Sequence, residues 1–277
     1  MILVTGASGT VGSEVLKALV ARRAPVRAGY RTRRPELPAG VEAVPLDYDR
    51  PETIRPALEG VGTIFLISTT VAPEKKVVDA ARRAGVRRVV KLSALRAVEE
   101  EFVFGRWHRA VEKHIEASGL AWTFLRPNGF MQNVVTYMAG TIRSHAAIYS
   151  SAGNGAVSHV DVRDLAAVGA AVLAESGHEG QAYDLTGPAA LTYTQVAEIL
   201  SRVLARPIRY VPISPEQYKQ GALAAGTPET YADALVDLNR YYAEGKMSEI
   251  TPTLRLLSGR DPTPFEQFAR DHAELLR

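Results

Sequence analysis

The chain of 277 residues contains no cysteine. This absence excludes a disulfide framework, a thiolate zinc site and a cysteine nucleophile. Its six histidines form no HExxH motif and show no paired metal-ligand spacing. The sequence also lacks a Gly-Lys-Ser/Thr phosphate loop and a complete G-x-S-x-G nucleophile elbow. These absences set aside kinases, metalloenzymes and hydrolases of the serine or cysteine type.

Long apolar runs are missing as well. The longest, such as residues 166–174, reach about half of the roughly 20 residues that a bilayer requires. The first residues enter a strand-like run directly, without the basic and apolar regions of a signal peptide. We therefore expect a cytoplasmic location and no membrane partner.

The net charge is only +3, and its distribution does not indicate a nucleic-acid partner. Basic clusters lie at residues 22–34 and 82–91, without zinc-finger or RNA-binding signatures and without interleaved aromatic residues. We interpret these clusters as solvated surface plus a phosphate pocket.

Apolar strand-like runs alternate with helical patterns through the first half of the chain. Strands are predicted at residues 2–5, 25–30, 41–46, 63–68, 86–92 and 121–125. Such alternation predicts an α/β fold with a doubly wound parallel sheet. Beyond Pro127 we expect a largely helical remainder, with helix at 130–142 and strands at 157–162 and 207–211.

A glycine loop with GxxGxxG spacing joins the first strand to the first helix, at Gly6, Gly9 and Gly12. The glycines permit a tight turn and close approach of the backbone to a pyrophosphate, which the helix N-terminus then binds. Ser8, Thr10 and Val11 lie in the same loop and helix start. This context predicts a Rossmann-type NAD(P)-binding domain at residues 1–155, followed by residues 156–277, which contribute to the sheet and the substrate cleft.

The choice of cofactor depends on the end of the second strand. NAD-binding proteins usually carry an acid there, whereas this chain has Arg31 and no acid before Glu36. A guanidinium binds a 2′-phosphate well, so we predict NADP(H), with Arg33 and Arg34 as solvated loop charges. Asp47 either contacts the adenine or bonds its own loop backbone.

With these pieces the sequence resembles the NmrA-like branch of the atypical short-chain dehydrogenase/reductases. The resemblance extends over nearly the whole chain, at residues 5–12, 31, 108–112, 118–128, 160–164, 183–188 and 257–265. Within that branch the chain is most similar to flavin-free bacterial reductases of quinones and triphenylmethane dyes. The resemblance implies a small C-terminal substrate region, and the branch also contains redox sensors that bind the dinucleotide without turnover.

The usual Tyr-x-x-x-Lys pair is absent from the helix after the fifth strand, and Tyr242 with Lys246 lies too far along the chain to replace it. That helix carries His108, which we predict as the catalytic proton donor with a pKa near neutral. Glu112 lies one turn on and is expected to orient it. The alternative is a surface His–Glu pair, with solvent protonating the product.

Further site residues are predicted at the carboxyl ends of the strands. Ser68, Thr69 and Ser93 are expected to line the nicotinamide ribose, or else to cap the following helices. A substrate wall is predicted from Phe104, Trp107, Asn128, Phe130, Met131 and Asn133. For the aromatic members, ordinary core packing is an equal alternative.

The leading hypothesis is an NADPH-dependent reductase that passes hydride directly to a small-molecule substrate, a conjugated acceptor such as a quinone. A non-catalytic NADP(H) sensor is the alternative from a different class. A sugar-nucleotide epimerase or dehydratase is disfavoured by the missing Tyr–Lys pair. The sequence leaves the oligomeric state open, with a homodimer as one option.

Overall fold

The computed structural model of the chain describes residues 1–32, 34–37, 40–68 and 70–277. Its strands are β1 (Ile2–Val4), β2 (Val26–Tyr30), β3 (Glu42–Pro45), β4 (Thr63–Leu66), β5 (Arg88–Leu92), β6 (Ala121–Pro127), β7 (Ala147–Ser150), β8 (Gln181–Leu185) and β9 (Arg209–Pro212). Its α-helices are α1 (Thr10–Ala21), α2 (Pro51–Ala57), α3 (Val71–Arg83), α4 (Val103–Ala117), α5 (Ala139–His145), α6 (Val162–Ala174), α7 (Tyr193–Leu204), α8 (Pro215–Ala224), α9 (Glu229–Ala243), α10 (Thr253–Ser258), α11 (Phe265–Asp271) and α12 (Ala273–Leu276). Within these ranges, no helix combines the length and apolarity needed to cross a bilayer.

Seven strands form one sheet in the order β3-β2-β1-β4-β5-β6-β8. The pairings from β3 across to β6 are all parallel, with Val4 level with Phe65 and Leu66 level with Lys91. All residues of β1 and β5 are buried, as expected for central strands covered by helices on both faces. The predicted Rossmann-type fold is confirmed, and the six predicted strands of the first half are β1 to β6.

The chain folds into two compact units, each assembled from three segments. The first unit contains residues 1–100, 105–127 and 162–184, and the second contains residues 101–104, 128–161 and 185–277. The domain boundary expected at residue 155 lies inside the segment 128–161 of the second unit. The chain returns to the first unit to add α6 and most of β8, and β8 is the edge strand next to β6.

Of the predictions for the second half, the strand at residues 157–162 is wrong and the helix that precedes it is present with a modification. Residues 157–162 form no continuous strand, because Val157 pairs with Leu191 and Val160 pairs with Phe130, each through an isolated bridge. The helix expected at residues 130–142 is present at residues 132–145, where it includes a π-helical turn, Val134–Met138, directly before α5. The four-residue strand β7, which pairs with β9 in a small second sheet, was not predicted.

Part of the basic stretch at residues 82–91 is buried, which corrects its interpretation as solvated surface. Arg88 donates to the carbonyl oxygens of Val172 and Leu173 at the end of α6, where a cation complements the helix dipole. Lys91 is fully buried and binds both carboxylate oxygens of Glu74, at 2.9 and 3.0 Å. Alternation along β5 sends these two cations to opposite faces of the sheet.

The buried Lys91–Glu74 pair generates a stability prediction. Lys91→Met leaves the Glu74 carboxyl buried without its partner, so we expect a loss of about 3–5 kcal/mol in the free energy of unfolding. The double variant Lys91→Met/Glu74→Met removes both charges and should recover most of the lost free energy of unfolding. Urea denaturation at pH 7 measures both values, and equal losses in the single and double variants would contradict this explanation.

Candidate functional site

The glycine loop is so tightly folded that its third glycine has no room for a side chain. Gly6 lies in the left-handed region with φ +59°, and the Gly9 amide donates to the Gly6 carbonyl at 2.9 Å. A Cβ on Gly12 would lie 2.2 Å from the Gly6 oxygen. Only glycine permits this approach of α1 to the end of β1.

Hydrogen bonds from both sides fix the loop to the sheet. The Thr5 hydroxyl donates to the Phe65 carbonyl at 3.0 Å and accepts the Ile67 amide at 2.9 Å. On the other side, the Ala7 amide donates to the Gly29 carbonyl at 3.0 Å. The loop is therefore held between the ends of β2 and β4, which pre-organises its backbone.

The start of α1 has the features of an anion site. Its N-cap is Gly9, no side chain caps the helix, and no acidic residue lies in its first turn. The first amides and the positive end of the helix dipole are therefore available to a phosphate. Beside the loop lies a cavity of about 460 Å³, which is lined by Ala7, Ser8, Ser13, Leu16, Lys17, Pro35 and Glu36. The tight loop and the uncapped helix start both fit the pyrophosphate of a dinucleotide.

Arg31 follows β2 with its side chain exposed, and it forms no ion pair with any residue that the structure describes. Arg33 lies outside the described residues. The Asp47 carboxylate accepts a hydrogen bond from the Asp49 amide at 3.1 Å. This is the bond to its own loop backbone that the sequence offered as the alternative to an adenine contact. The guanidinium of Arg31 is therefore available for a ligand, whereas the Asp47 carboxylate already has a local partner.

The serines predicted to line the ribose also have partners. The Ser68 hydroxyl accepts the Thr70 amide at 3.0 Å in the turn before α3, but no side-chain hydrogen bond caps that helix. Thr69 lies outside the described residues. Ser93 is buried and donates to Glu112 at 2.6 Å. Ribose contacts by these hydroxyls remain predictions. For such a contact, Ser68 and Ser93 would each have to share their present hydrogen bond with the ribose or give it up.

Glu112 is the centre of a polar cluster that the sequence did not predict. Its carboxylate is fully buried and accepts two hydrogen bonds from Arg126, at 2.9 and 2.8 Å, as well as the bond from Ser93. Arg109 adds a further bond at 3.1 Å. Burial would raise the pKa of Glu112, but the hydrogen bonds from Arg126 and Ser93 outweigh it, so the pKa is lowered. The carboxylate therefore stays ionised and joins α4 to the ends of β5 and β6.

The expected coupling of His108 to Glu112 is wrong. Within the described part of the chain, His108 forms no hydrogen bond with Glu112, whose oxygens bind the two arginines and Ser93. Burial, and next the positive charge of Lys91, lower the pKa of His108 well below its usual value. The expectation of a pKa near neutral is therefore also wrong, and the ring is neutral at pH 7. The neutral ring can donate one N–H hydrogen bond, but it carries no second proton that it could transfer to a substrate.

Trp107 is half-buried on α4 in the first unit, and the other five predicted substrate residues lie in the second unit. Phe104 is buried edge-on to Tyr231, with ring centroids 5.1 Å apart, which agrees with the core alternative. The Asn128 amide donates to the Ser158 hydroxyl and the Met247 carbonyl, and its oxygen accepts the Gly129 amide. The polar atoms of Asn128 are therefore used in hydrogen bonds within the second unit.

Two predicted substrate residues keep accessible surface. Phe130 and Asn133 are half-buried and flank the turn that precedes the π-helical segment. The Asn133 side-chain amide has no hydrogen-bond partner among the residues that the structure describes. Substrate contact by these two residues stays a prediction, and Asn133 offers an amide that no internal bond engages.

Comparison with known proteins identifies the family. A profile of the NmrA-like family matches residues 1–269. The chain belongs to the NmrA-like family. An NAD(P)H azoreductase of Xenophilus azovorans is 38% identical over 99% of this chain and 98% of that protein.

Two further members extend the comparison. A (4-alkanoyl-5-oxo-2,5-dihydrofuran-3-yl)methyl phosphate reductase of Streptomyces griseus subsp. griseus is 40% identical over 99% of this chain and 98% of that protein. The crystal structure of an NADPH-dependent quinone oxidoreductase of Escherichia coli, in complex with NADPH, has a TM-score of 0.86 at 28% identity. That alignment covers 99% of this chain and 100% of the other. The resemblance to this family in the sequence is confirmed.

The tight glycine loop generates a binding prediction. Gly12→Ala places a Cβ against the Gly6 carbonyl, so the loop must shift, and we expect the Kd for NADPH to rise at least about tenfold. Gly140→Ala on α5 is the matched control, because a Cβ there meets nothing within 4 Å. Fluorescence titration with NADPH measures both, and equal Kd values in the two variants would contradict the proposed role of the loop.

The neutral state of His108 generates a prediction on pH. A histidine has a pKa of about 6.5 in the unfolded chain, and the pKa of His108 in the folded protein is lower. The unfolded state therefore binds more protons below pH 6.5, and the stability contributed by the neutral ring is lost as the pH falls. NMR titration should show the His108 signal, assigned with His108→Phe, unchanged between pH 8 and 6.5. A midpoint within that range would refute the neutral assignment.

Proposed function

We propose that this protein is an NADPH-dependent reductase that transfers hydride directly to a small conjugated acceptor such as a quinone. The observation that carries the proposal is the glycine loop, which opens onto an uncapped, acid-free helix start. The relatives described above support it, because they include an NAD(P)H azoreductase and an NADPH-dependent quinone oxidoreductase. The broader function, which does not depend on the identity of the acceptor, is that of an NAD(P)H-dependent oxidoreductase.

Preference for NADPH follows from the charges at the end of β2. Arg31 is exposed and has no internal ion pair among the described residues, and its guanidinium suits a 2′-phosphate in a bidentate arrangement. In the proposed complex the α1 amides bind the pyrophosphate and Arg31 binds the 2′-phosphate. NADH lacks that phosphate, so it loses the contact with Arg31.

At the acceptor, the proposed role of His108 is that of a neutral hydrogen-bond donor. NADPH supplies the hydride when bound. The His108 N–H stabilises the oxygen of the acceptor on which negative charge accumulates, in the manner of an oxyanion donor. Solvent then provides the proton, since the lowered pKa of His108 keeps the ring from carrying a second, transferable proton at pH 7.

A non-catalytic NADP(H) sensor is the second candidate, and one observation favours it. Glu112, the ionisable group one turn from His108, is fully bound by Arg126, Arg109 and Ser93. This arrangement leaves the Glu112 carboxylate without a free oxygen position for proton exchange with His108. Turnover with an acceptor distinguishes the reductase from the sensor.

The direct test follows NADPH consumption by the purified protein with a panel of quinones and azo dyes, beside an NADH control. Arg31→Ala removes a charge-assisted contact, so we expect kcat/KM for NADPH to fall about 10- to 100-fold, with NADH little affected. Arg55→Ala, an exposed cation on α2, is the matched control and should leave both values unchanged.

The outcomes of this test separate the candidates. NADPH oxidation that depends on the acceptor and on Arg31 supports the reductase and its cofactor preference. Tight NADPH binding without oxidation by any acceptor on the panel favours the sensor. Absence of NADPH binding would contradict both.

A further inference from the structure

The second unit contains an apolar cavity of about 150 Å³. Its walls include Val157, Leu191, Ile199 and Phe265, and none of its lining residues belongs to the glycine loop or to the first unit. Of the residues that follow β6 and were predicted to form a substrate wall, Met131 lines the cavity, whereas Asn128, Phe130 and Asn133 do not. The cavity is therefore a feature that the proposed reductase activity leaves unexplained.

Backbone hydrogen bonds and two helices hold part of the cavity wall in place. Val157 and Leu191 exchange two backbone hydrogen bonds, each 3.0 Å long. Ile199 projects from α7, and Phe265 begins α11 and packs against Phe268 with ring centroids 5.8 Å apart. Rigid elements of this kind keep a void open when its lining is apolar.

The two polar side chains of the described lining, His159 and Glu266, offer no free charge to a ligand. Burial lowers the pKa of His159 to about 4, so its ring is neutral at pH 7. Glu266 is paired with Arg270 at 2.6 Å and with Arg202 at 3.4 Å. A charged ligand would lose its hydration here without gaining a partner, whereas a neutral apolar ligand would not.

The size of the cavity sets the size of the ligand. A void of about 150 Å³ with apolar walls holds one benzene-sized ring, and sites for drug-sized molecules are about 300–1,000 Å³. We propose that this cavity is a binding site for a single small neutral aromatic ring, separate from the dinucleotide site.

The proposal is tested by ¹⁹F NMR titration of the full-length protein with 4-fluorophenol, with anionic 4-fluorobenzoate as the control ligand. Ile199→Trp fills the cavity from α7, and Ile199→Leu is the volume-matched control. We expect 4-fluorophenol to bind wild type and Ile199→Leu alike, and to bind Ile199→Trp at least about tenfold more weakly. Binding should be unchanged by saturating NADP⁺, and 4-fluorobenzoate should not bind.

Circular dichroism and NADPH titration establish that each variant is folded. If Ile199→Trp fails to fold, Ala189→Phe replaces it, because Ala189 lines the cavity from an exposed loop where a larger side chain is tolerated. No binding to wild type, equal affinity in the filled variant, or displacement by NADP⁺ would each overturn the proposal. None of these outcomes depends on whether the protein reduces quinones.

Discussion

The close approach of α1 to the end of β1 is the constraint on which the candidate site depends. It requires that no Cβ occupy position 12, where the Gly6 carbonyl lies only 2.2 Å from the place that a Cβ would take. Because the loop folds this tightly, α1 starts at the sheet edge with its amides free of side-chain caps. The bonds of Thr5 to β4 and of Ala7 to β2 then hold that geometry without a ligand. Affinity for a phosphate is thus built into the backbone before any side chain contributes.

Electrostatics on α4 and β5 determine what chemistry this site can support. The buried Lys91 and the burial of the ring both favour neutral His108, while Glu112 is held ionised by its arginines. A neutral imidazole polarises a carbonyl without donating its proton. Direct hydride transfer to an acceptor whose product takes a proton from solvent is compatible with such a donor.

Periodicity and glycine spacing were enough to predict the fold and the dinucleotide loop, because strand burial and backbone clearance are local properties of the sequence. The buried charges could not be predicted in the same way. The run of basic residues around Lys91 predicts a surface cation. Its partner Glu74 lies on another element, and only the folded packing of α3 on the sheet brings the two residues together. The Glu112 cluster likewise joins residues from α4, β6 and the end of β5. The π-helical turn at Val134–Met138, inside the predicted helix, is likewise not visible in the hydrophobic periodicity.

Direct hydride transfer is the central claim, and a single-turnover experiment with NADPH deuterated at the transferred position tests it most directly. Enzyme saturated with NADPH or its deuterated form is mixed with a quinone, and the loss of nicotinamide absorbance is followed by stopped flow. A reductase of the proposed kind shows one acceptor-dependent phase, slowed by a primary isotope effect, in protein without flavin absorbance. Stable, bound NADPH in the presence of every acceptor would contradict the account and leave the sensor.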